Sequence, residues 1–267
     1  METIQWFLDN LKATIFRARG RRPGDHGCVA YSRLQMNKLL SQEGTIDFFV
    51  PPQPLPRGYG IALSERAIEY PWLLARLQPH ECKILDAGSA LNHRDVICHK
   101  RFLGRKLTCV TLAPETECYY HQGVAYLFED LRSLPLKDDS YDAVVCISTL
   151  EHIGMDNFRY TGTPSQTSAT LSFLDAVREF NRVLKTGGRL YVTLPYGRYQ
   201  DKGWLQQFDA SLLSRLGDAF QGNLLEVSYY RYTDSGWDLS DAEQCMDAEY
   251  KASEMATAVA CLVLEKT

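Results

Sequence analysis

The sequence lacks the features that would direct the chain to a membrane or an oxidising compartment. No apolar run approaches the roughly 20 residues of a membrane-spanning helix, and the amino terminus lacks the basic-then-apolar order of a secretion signal. The eight cysteines form no C-x-x-C pair, and several fall inside predicted strands, where a free thiol behaves as a small hydrophobe. We therefore expect a reducing, cytoplasmic location and no membrane partner.

The chain also lacks a strong excess of either charge. Its formal net charge is -4, which gives no positive field that would gather phosphate backbones, so we expect no nucleic-acid partner. With 267 residues, of which 45% are hydrophobic, the chain is long enough to bury a sizeable core. These properties favour a globular protein that acts on a small molecule, and they leave its oligomeric state unknown.

Two kinds of ligand site are missing as well. The G-x-G-x-x-G glycines of a nicotinamide-binding unit are absent, and no acid ends the second predicted strand. His121, Glu151 and Asp156 lie apart in the sequence without a diagnostic metal-ligand spacing, so we expect no metal.

The stretch from Lys83 to Asn92 is the centre of the predicted organisation. A short apolar segment ends in Asp86 and is typical of a buried parallel strand, and the small residues Gly88 and Ser89 follow it. Small residues let a ligand approach the backbone, and such a turn marks the carboxyl edge of an open α/β sheet. The pattern predicts a nucleotide-type cofactor site at this edge.

The first 80 residues are predicted to form a helical cap and a proline-rich arm. A helix is expected over residues 3–17, with an apolar face made of Ile4, Phe7, Leu8, Leu11 and Ile15. We expect this face to dock on the flank of the domain; its alternative role is a lid over the acceptor pocket. Prolines and glycines then prevent regular structure over most of residues 44–59.

A second helix is predicted over residues 63–77, with Pro71 near a kink or break. It carries Glu65, Arg66, Glu69 and Tyr70 just before the central strand. We expect a solvated face there; the alternative is contact with the polar end of a cofactor.

From residue 81 onward, strands and helices alternate. The predicted strands are the segment ending at Asp86, then 107–112, 125–128, 141–147, 189–194, 224–232 and 258–265, with helices over 95–103 and 171–184 between them. Alternation of this kind predicts a mostly parallel sheet with right-handed crossovers and helices on both faces.

Four segments carry a resemblance to a known family. They are ILDAGSALN, TCVTLAPE, YLFEDLRSLPLKDDSYDAVVCISTLEHIG and REFNRVLKTGGRLYVTLPYG. Together, over residues 81–200, they resemble the class I S-adenosylmethionine-dependent methyltransferases. The resemblance implies a Rossmann-like, seven-stranded sheet with one antiparallel strand over residues 81–267, and S-adenosylmethionine across the carboxyl ends of the strands.

The resemblance also assigns the cofactor-binding residues. It places the methionine end and ribose side of the cofactor at Asp86, Gly88 and Ser89, the ribose at Thr111 with Leu112, the adenine at Asp130 with Leu131, and the reaction centre near Ser148. For Asp86, an alternative is an acid that caps the next turn; for Asp130, it is an ion pair with Arg132; for Ser148, it is a hydrogen bond at the strand end.

Two positions depart from the family pattern. Ala90 and Asn92 stand where the family has further glycines, so the loop could be shaped differently. Thr111 replaces the acid that grips both ribose hydroxyls, which a single hydroxyl cannot match, and Glu115 is a possible substitute.

The catalytic residues are expected just after the fourth strand. His152 titrates nearest neutral pH and could be a general base, or it could serve as a structural hydrogen-bond donor. Asp156 could bind acceptor hydroxyls, or cap the next turn.

The predicted function is methyl transfer to the oxygen or nitrogen of a small molecule such as a sugar or secondary metabolite. Two alternatives stay open: an enzyme that moves or cyclises the aminocarboxypropyl arm of the cofactor, and a cofactor-binding protein without catalysis. The acceptor itself cannot be identified from the segments expected around it, residues 158–170 and 234–255.

Overall fold

The computed structural model describes residues 2–21, 25–42, 44–163, 169–251 and 255–267, without the side chains of residues 2–6. The predicted contribution of Ile4, and parts of the two acceptor segments, lie outside the described residues. The helices are α1 Glu2–Ala18, α2 Cys28–Ser41, α3 Arg66–Arg76, α4 Arg94–Ile97, α5 Phe158–Thr161, α6 Phe173–Val183, α7 Ala210–Phe220 and α8 Ala242–Cys245. Short 3-10 helices span Ile46–Phe48, Lys100–Phe102, Tyr120–Gln122 and Leu150–His152.

The strands are β1 Lys83–Ala87, β2 Lys106–Thr111, β3 Val124–Phe128, β4 Tyr141–Ile147, β5 Leu184–Pro195, β6 Gln200–Asp201, β7 Gln206–Gln207, β8 Asn223–Thr233, β9 Gly236–Ser240 and β10 Ala258–Glu265. Strands β6 and β7 form a small separate hairpin, and the others form one sheet in the order β3-β2-β1-β4-β5-β10-β8-β9. Strands β1 to β5 are parallel, whereas β10 is antiparallel to β5 and β8, and β9 is antiparallel to β8. The predicted α/β class is confirmed.

The sheet has one more strand than expected. The sequence predicted seven strands with one antiparallel, but β9 adds an eighth strand at the edge beside β8, and it is also antiparallel to its neighbour. It is only five residues long and begins at a glycine, so it carries little strand signal of its own. Its Trp237 is buried, and the indole N–H donates to the carbonyl of Leu63 at 3.1 Å.

The sheet separates two hydrophobic cores. Alternate residues of β4 point to opposite faces, so that Val145 joins the core beneath α3 and Val144 joins the core beneath α6 and α7. Such strands are buried on both sides, which explains why they appear as continuous apolar runs in the sequence. The predicted placement of helices on both faces is confirmed.

Helix α1 packs with a face different from the expected one. Its buried residues include Ala13 and Phe16, both fully buried, whereas Phe7 and Leu11 of the predicted apolar face are 63% and 49% exposed. The buried face includes Asp9, a polar residue, and its carboxylate pairs with the guanidinium of Arg33 on α2. The expected docking of α1 through Phe7, Leu8 and Leu11 was therefore wrong.

The proline-rich segment is packed rather than detached. Phe49 is fully buried and its ring lies 5.6 Å from that of Tyr230 on β8. The backbone N–H of Leu55 donates to the carboxylate of Asp238 on β9 at 2.7 Å. Residues before 81 thus share the core that covers one face of the sheet.

Candidate active site

A cavity of about 260 Å³ lies at the carboxyl ends of β1 to β4. Its lining includes nearly all of the predicted cofactor residues: Gly88, Ser89, Thr111, Leu112, Asp130, Leu131 and Ser148, together with His152. Because parallel strands end at the same edge of the sheet, residues up to 64 positions apart in the sequence meet here. Further lining residues are Arg66, Ala90, His93, Arg132, Ile147, Thr149, Ile153, Gly154, Asn157 and Tyr160.

The loop after β1 approaches the loop after β4 very closely. Gly88 has φ +107°, and a Cβ atom at this position would lie 2.2 Å from Oγ1 of Thr149. We expected glycine here because a side chain would occupy the space of a ligand, but the nearest obstacle is Thr149. The next residue, Ser89, also has a left-handed backbone, with φ 60°. The left-handed turn is thus made by Gly88 and Ser89 and does not require a glycine at position 90.

Asp86 lies beneath the cavity rather than in its lining. Its side chain is fully buried, and one carboxylate oxygen accepts a 2.9 Å hydrogen bond from the backbone N–H of Leu91. Burial raises the pKa of Asp86 to about 7. The carboxylate thus stabilises the turn that carries Gly88 and Ser89, as in the capping alternative.

The predicted ribose position offers the fewest polar side chains of the site. Thr111 and Leu112 line the cavity, and the Thr111 carbonyl accepts a 3.1 Å hydrogen bond from the N–H of Glu129. Glu115, the suggested substitute for the missing acid, is not among the lining residues. Asn92 contacts neighbouring residues instead, because its side chain donates to the carbonyl of Glu117 and accepts from the hydroxyl of Tyr126.

Asp130 forms an ion pair with Arg132 at the other end of the cavity. The guanidinium contacts both carboxylate oxygens at 2.6 to 3.0 Å, and the two side chains are 39% and 42% exposed. Partial burial alone would raise the pKa of Asp130, but the hydrogen bonds from Arg132 outweigh it and lower the pKa. The structure therefore contains the ion pair that was the alternative to adenine binding, although both residues also line the cavity.

Helix α3 contributes a buried polar cluster to the end of the cavity opposite Asp130. The carboxylate of Glu69 is fully buried; one oxygen accepts from the hydroxyls of Ser148 and Thr193 at 2.6 and 2.7 Å, and the other pairs with Arg66. The Tyr70 hydroxyl donates to the carbonyl of Ala90 at 2.8 Å. The expected solvated face was therefore wrong, and Arg66 of this cluster reaches the cavity.

The geometry of His152 selects one tautomer of its imidazole ring. Nδ1 lies 2.9 Å from the carbonyl oxygen of Trp204, and a carbonyl can only accept, so Nδ1 carries the proton. Nε2 is then an unprotonated acceptor, 3.9 Å from a carboxylate oxygen of Glu151. Burial lowers the pKa of His152 to about 4, so the ring is neutral at physiological pH.

Asp156 lies outside the lining of the cavity. Its carboxylate accepts a 3.0 Å hydrogen bond from the N–H of Phe158, which is the turn-capping alternative. The neighbouring Asn157 lines the cavity, and its amide donates to the carbonyls of His152 and Met155 at 3.3 and 3.2 Å. Asn157 thus braces the loop that carries His152.

Two further carboxylates lie behind His152 and Arg66. Glu151 is 3% exposed, and Glu65 precedes α3; one buried oxygen of each has no hydrogen-bond partner among the described residues. Burial raises the pKa of Glu65 to about 7, and it raises the pKa of Glu151 well above its usual range. Burial therefore favours the neutral, protonated form of both acids.

An aromatic wall borders His152. Its ring stacks on Trp204 with the centroids 5.3 Å apart, and Tyr160 meets the ring edge-on at 5.5 Å. The guanidinium of Arg159 lies 4.2 Å from the centroid of Trp204. We did not predict Trp204 as a site residue, because it lies 52 residues after His152 in a short loop with no motif.

A methyltransferase-domain family matches residues 85–192, the segment that provides β1 to β5 and most of the cavity. The resemblance to the class I S-adenosylmethionine-dependent methyltransferases is confirmed. S-adenosylmethionine is the cofactor that this domain implies. No curated protein sequence matches the chain.

Several solved structures are similar to the chain at low sequence identity. The cyclase SpnF is 20% identical, with 87% of this chain and 94% of that chain covered and a TM-score of 0.51. A 1,6-didemethyltoxoflavin-N1-methyltransferase from Burkholderia thailandensis is 14% identical, with 73% and 76% covered and a TM-score of 0.48. A methyltransferase from Methanosarcina mazei is also 14% identical, with 73% and 96% covered and a TM-score of 0.48. The similarity to SpnF, at a TM-score of 0.51 and 20% identity, concerns the fold and does not identify the reaction.

The residues around the cavity suit this cofactor. Arg66 is a cation at the end formed by Gly88 and Ser89, where a carboxylate can bind, and Leu112 and Leu131 offer apolar surface between the polar ends.

Among the described helices, none is both long and apolar enough to cross a membrane.

Proposed function

We propose that the protein transfers a methyl group from S-adenosylmethionine to a small-molecule acceptor bound beside His152. The observation that carries the proposal is one continuous cavity that joins the predicted cofactor residues to a histidine whose Nε2 is an unprotonated acceptor. When bound, the cofactor supplies a methyl group already activated by its sulfonium. The protein therefore has to align the acceptor and handle its proton.

Each end of the cavity has a separate task in this proposal. Leu131 and Asp130 hold the adenine, Gly88 and Ser89 form the backbone turn under the methionine end, and Arg66 binds its carboxylate. Thr111 and Leu112 contact the ribose, where one hydroxyl replaces the usual acid. Ser148 orients Glu69 and Arg66 through its hydroxyl, which donates to Glu69 at 2.6 Å.

His152 is the catalytic residue that we propose. The Trp204 carbonyl fixes its tautomer, and the stacked indole ring holds the imidazole in place. Its pKa of about 4 makes it a weak base, which suits the removal of a proton only from an acidic or already charged group. Asp156 has a turn-capping role in this scheme and does not touch the acceptor.

Incubation with cofactor and a panel of acceptors tests the proposal. Formation of S-adenosylhomocysteine together with a methylated acceptor supports it. Methylthioadenosine would instead show transfer or cyclisation of the aminocarboxypropyl arm, and cofactor that binds but stays unchanged with every acceptor would indicate a binding protein.

A further inference from the structure

We propose that helix α1 binds the surface of an anionic lipid bilayer, with its exposed apolar face at the acyl boundary and the neighbouring cations at the headgroups. This surface is separate from the cavity at the carboxyl ends of the strands, and the proposal does not depend on methyl transfer. Two observations carry it: an exposed apolar stripe along α1, and a cationic cavity between α1 and α2.

The apolar stripe consists of Phe7, Leu8, Leu11 and Ile15. The first three side chains are between 40% and 63% exposed, and Ile15 is half-buried. Residues spaced by three or four positions lie on the same face of a helix, so these four side chains form one stripe. Apolar residues that are grouped and exposed in this way mark an interaction surface.

The stripe is not the face that holds α1 to the protein. The opposite face packs mainly against α2, and α2 packs in turn against α3 and α4. Ala13 and Phe16 of that opposite face are fully buried in the core on this side of the sheet. The exposed stripe can therefore contact a partner while α1 stays in place.

Cations lie on both sides of the stripe. The α-helical hydrogen bonding continues to Arg19, and helix geometry places Arg17 on one side of the stripe and Lys12 with Arg19 on the other. Among the described side chains of α1, Asp9 is the only acid, and it is buried and paired with Arg33 of α2. Long basic side chains beside an apolar face can cover apolar surface with their stems and keep their charges at lipid headgroups.

A cavity of about 340 Å³ between α1 and α2 offers a place for a phosphate group on the Arg17 side of the stripe. Arg17, Arg21 and Lys38 line this cavity, and its lining contains no acid among the described residues. The guanidinium of Arg17 lies 5.7 Å from the centroid of the Tyr31 ring, a contact that positions it beside the cavity. Three cations around one cavity are suited to the phosphate of a lipid headgroup.

The distribution of charge favours a lipid surface over a second copy of the chain. In a symmetric pair formed through this stripe, the flanking cations of one protomer would lie close to those of the other. An anionic bilayer instead supplies negative charge on both sides of the stripe, and each cation near such a surface strengthens binding about fivefold. Residues 10–22 contain no acid that could offset their basic residues, which are Lys12, Arg17, Arg19, Arg21 and Arg22.

The net charge of -4 does not oppose this local attraction. Screening limits the reach of surface charges to about 8 Å at physiological ionic strength, so the cations near α1 act independently of acids elsewhere on the surface. The expectation of no membrane partner rested on the lack of a membrane-spanning run. A helix that lies in the interface does not need such a run.

Flotation of the full chain with lipid vesicles tests the proposal. One set of vesicles contains equal parts of phosphatidylserine and phosphatidylcholine, and the other contains phosphatidylcholine alone. We expect binding to the anionic set to be at least about tenfold tighter, and to weaken as salt is added. Equal binding to both sets, or binding to neither, would overturn the proposal.

Two variants assign the binding to the stripe and to the cations. Leu11→Ser removes apolar surface and Arg17→Gln removes a cation, and each should weaken binding to the anionic vesicles about fivefold or more. The matched controls are Leu224→Ser, 55% exposed on β8, and Arg178→Gln, 59% exposed on α6, and both should bind like wild type. The proposal is wrong if Leu11→Ser and Arg17→Gln bind as tightly as these controls.

The variants should keep the fold because the substituted side chains are exposed, and circular dichroism checks this. Phe7→Ser and Arg19→Gln change the same stripe and the same set of cations, so they serve as a second pair if a first variant does not fold. The same fivefold criterion applies to this pair.

Two measurements without lipid identify other occupants of the surface. In sedimentation velocity, a dimer that Leu11→Ser abolishes, in a protein that does not bind vesicles, would assign the stripe to a second copy of the chain. In calorimetry with inorganic phosphate, binding by a protein that ignores anionic vesicles would assign the cavity to a soluble anion. Either result would overturn the proposal of a lipid surface.

Discussion

The two ends of the cavity hold carboxylates in opposite environments. Asp130 is about 40% exposed and its charge is matched by Arg132, whereas Glu151 is buried and one of its oxygens has no partner among the described residues. The pKa of Asp130 is lowered, since the hydrogen bonds from Arg132 outweigh its partial burial, whereas burial raises the pKa of Glu151. The same chemical group is therefore paired with a cation at one end, whereas burial favours its protonated form at the other.

This difference suggests that the two ends of the cavity have different tasks. The exposed end can exchange the Arg132 contact for an adenine with little cost, because exposed ion pairs contribute only about 0–1 kcal/mol. At the other end Glu69 and Glu151 are buried, so a charge that develops there interacts strongly with its surroundings. We expect binding at the first end and chemistry at the second.

The largest effect should come from the buried end, in His152→Ala. If Nε2 accepts a proton during transfer, turnover should fall by roughly 10²–10⁴ while cofactor affinity is nearly unchanged. Steady-state kinetics with calorimetry of S-adenosylhomocysteine separates the two quantities. A parallel loss of affinity and turnover would mean that His152 only supports the shape of the cavity.

A substitution at Gly88, where the loops after β1 and β4 meet, should weaken cofactor binding. In Gly88→Val, the new Cβ would collide with Thr149 in a backbone with φ +107°, which forces the loops after β1 and β4 apart. We expect cofactor affinity to fall at least about hundredfold, or about 2.7 kcal/mol. Gly217→Ala in α7 is the control, because no atom lies within 4 Å of its Cβ position. Unchanged calorimetric affinity in the valine variant would contradict the packing argument.

At the exposed end, Asp130→Ala should have a smaller effect. Loss of an acceptor for a donor on the adenine costs about 1–3 kcal/mol, which corresponds to roughly tenfold or more in affinity. Stability should change little, because the pair with Arg132 is exposed. Asp175→Ala removes a comparable exposed pair with Arg178, outside the cavity, and should alter neither quantity. A dissociation constant equal to that of wild type would limit Asp130 to its ion pair.

The smallest predicted effect is on the pH dependence of folding. The pKa of Glu65 is raised to about 7, so the folded protein keeps a proton that the unfolded chain has released, and stability falls as the pH rises from about 4.5 to 7. Asp86 acts in the same direction, and His152, with its lowered pKa, acts in the opposite direction between about 4 and 6.5.

Urea unfolding of wild type and Glu65→Gln isolates the contribution of Glu65. Between pH 5 and 7.5 the wild type should lose about 1 kcal/mol or more relative to the variant. Parallel pH profiles for the two proteins would show that Glu65 is not the group that retains the proton.

The strands were predictable because burial on both faces leaves a continuous apolar run. The bounds of β4 and β10 agree with the prediction residue for residue, and the carboxyl ends of β1 to β4 then place the cofactor residues together. Helix α1 was harder, because its sequence offers more than one candidate face, and the one that packs includes the ion-paired Asp9. Helices α2 and α7 and strand β9 were not predicted.

The polar part of the site could not be predicted from spacing. Glu69 was assigned to a solvated face, although it accepts hydrogen bonds from residues 79 and 124 positions away. The tautomer of His152 depends on the carbonyl of Trp204, in a loop far along the chain. Such contacts depend on how helix α3 and the loops pack over the sheet, which local sequence does not specify.

A crystal structure of the complex with S-adenosylhomocysteine tests the account most directly. We predict the adenine beside Asp130 and Leu131, the methionine carboxylate at Arg66, and the sulfur facing Nε2 of His152. Ligand bound outside this cavity, or bound with the adenine at the His152 end, would contradict the division of the cavity into a cofactor end and a reaction end.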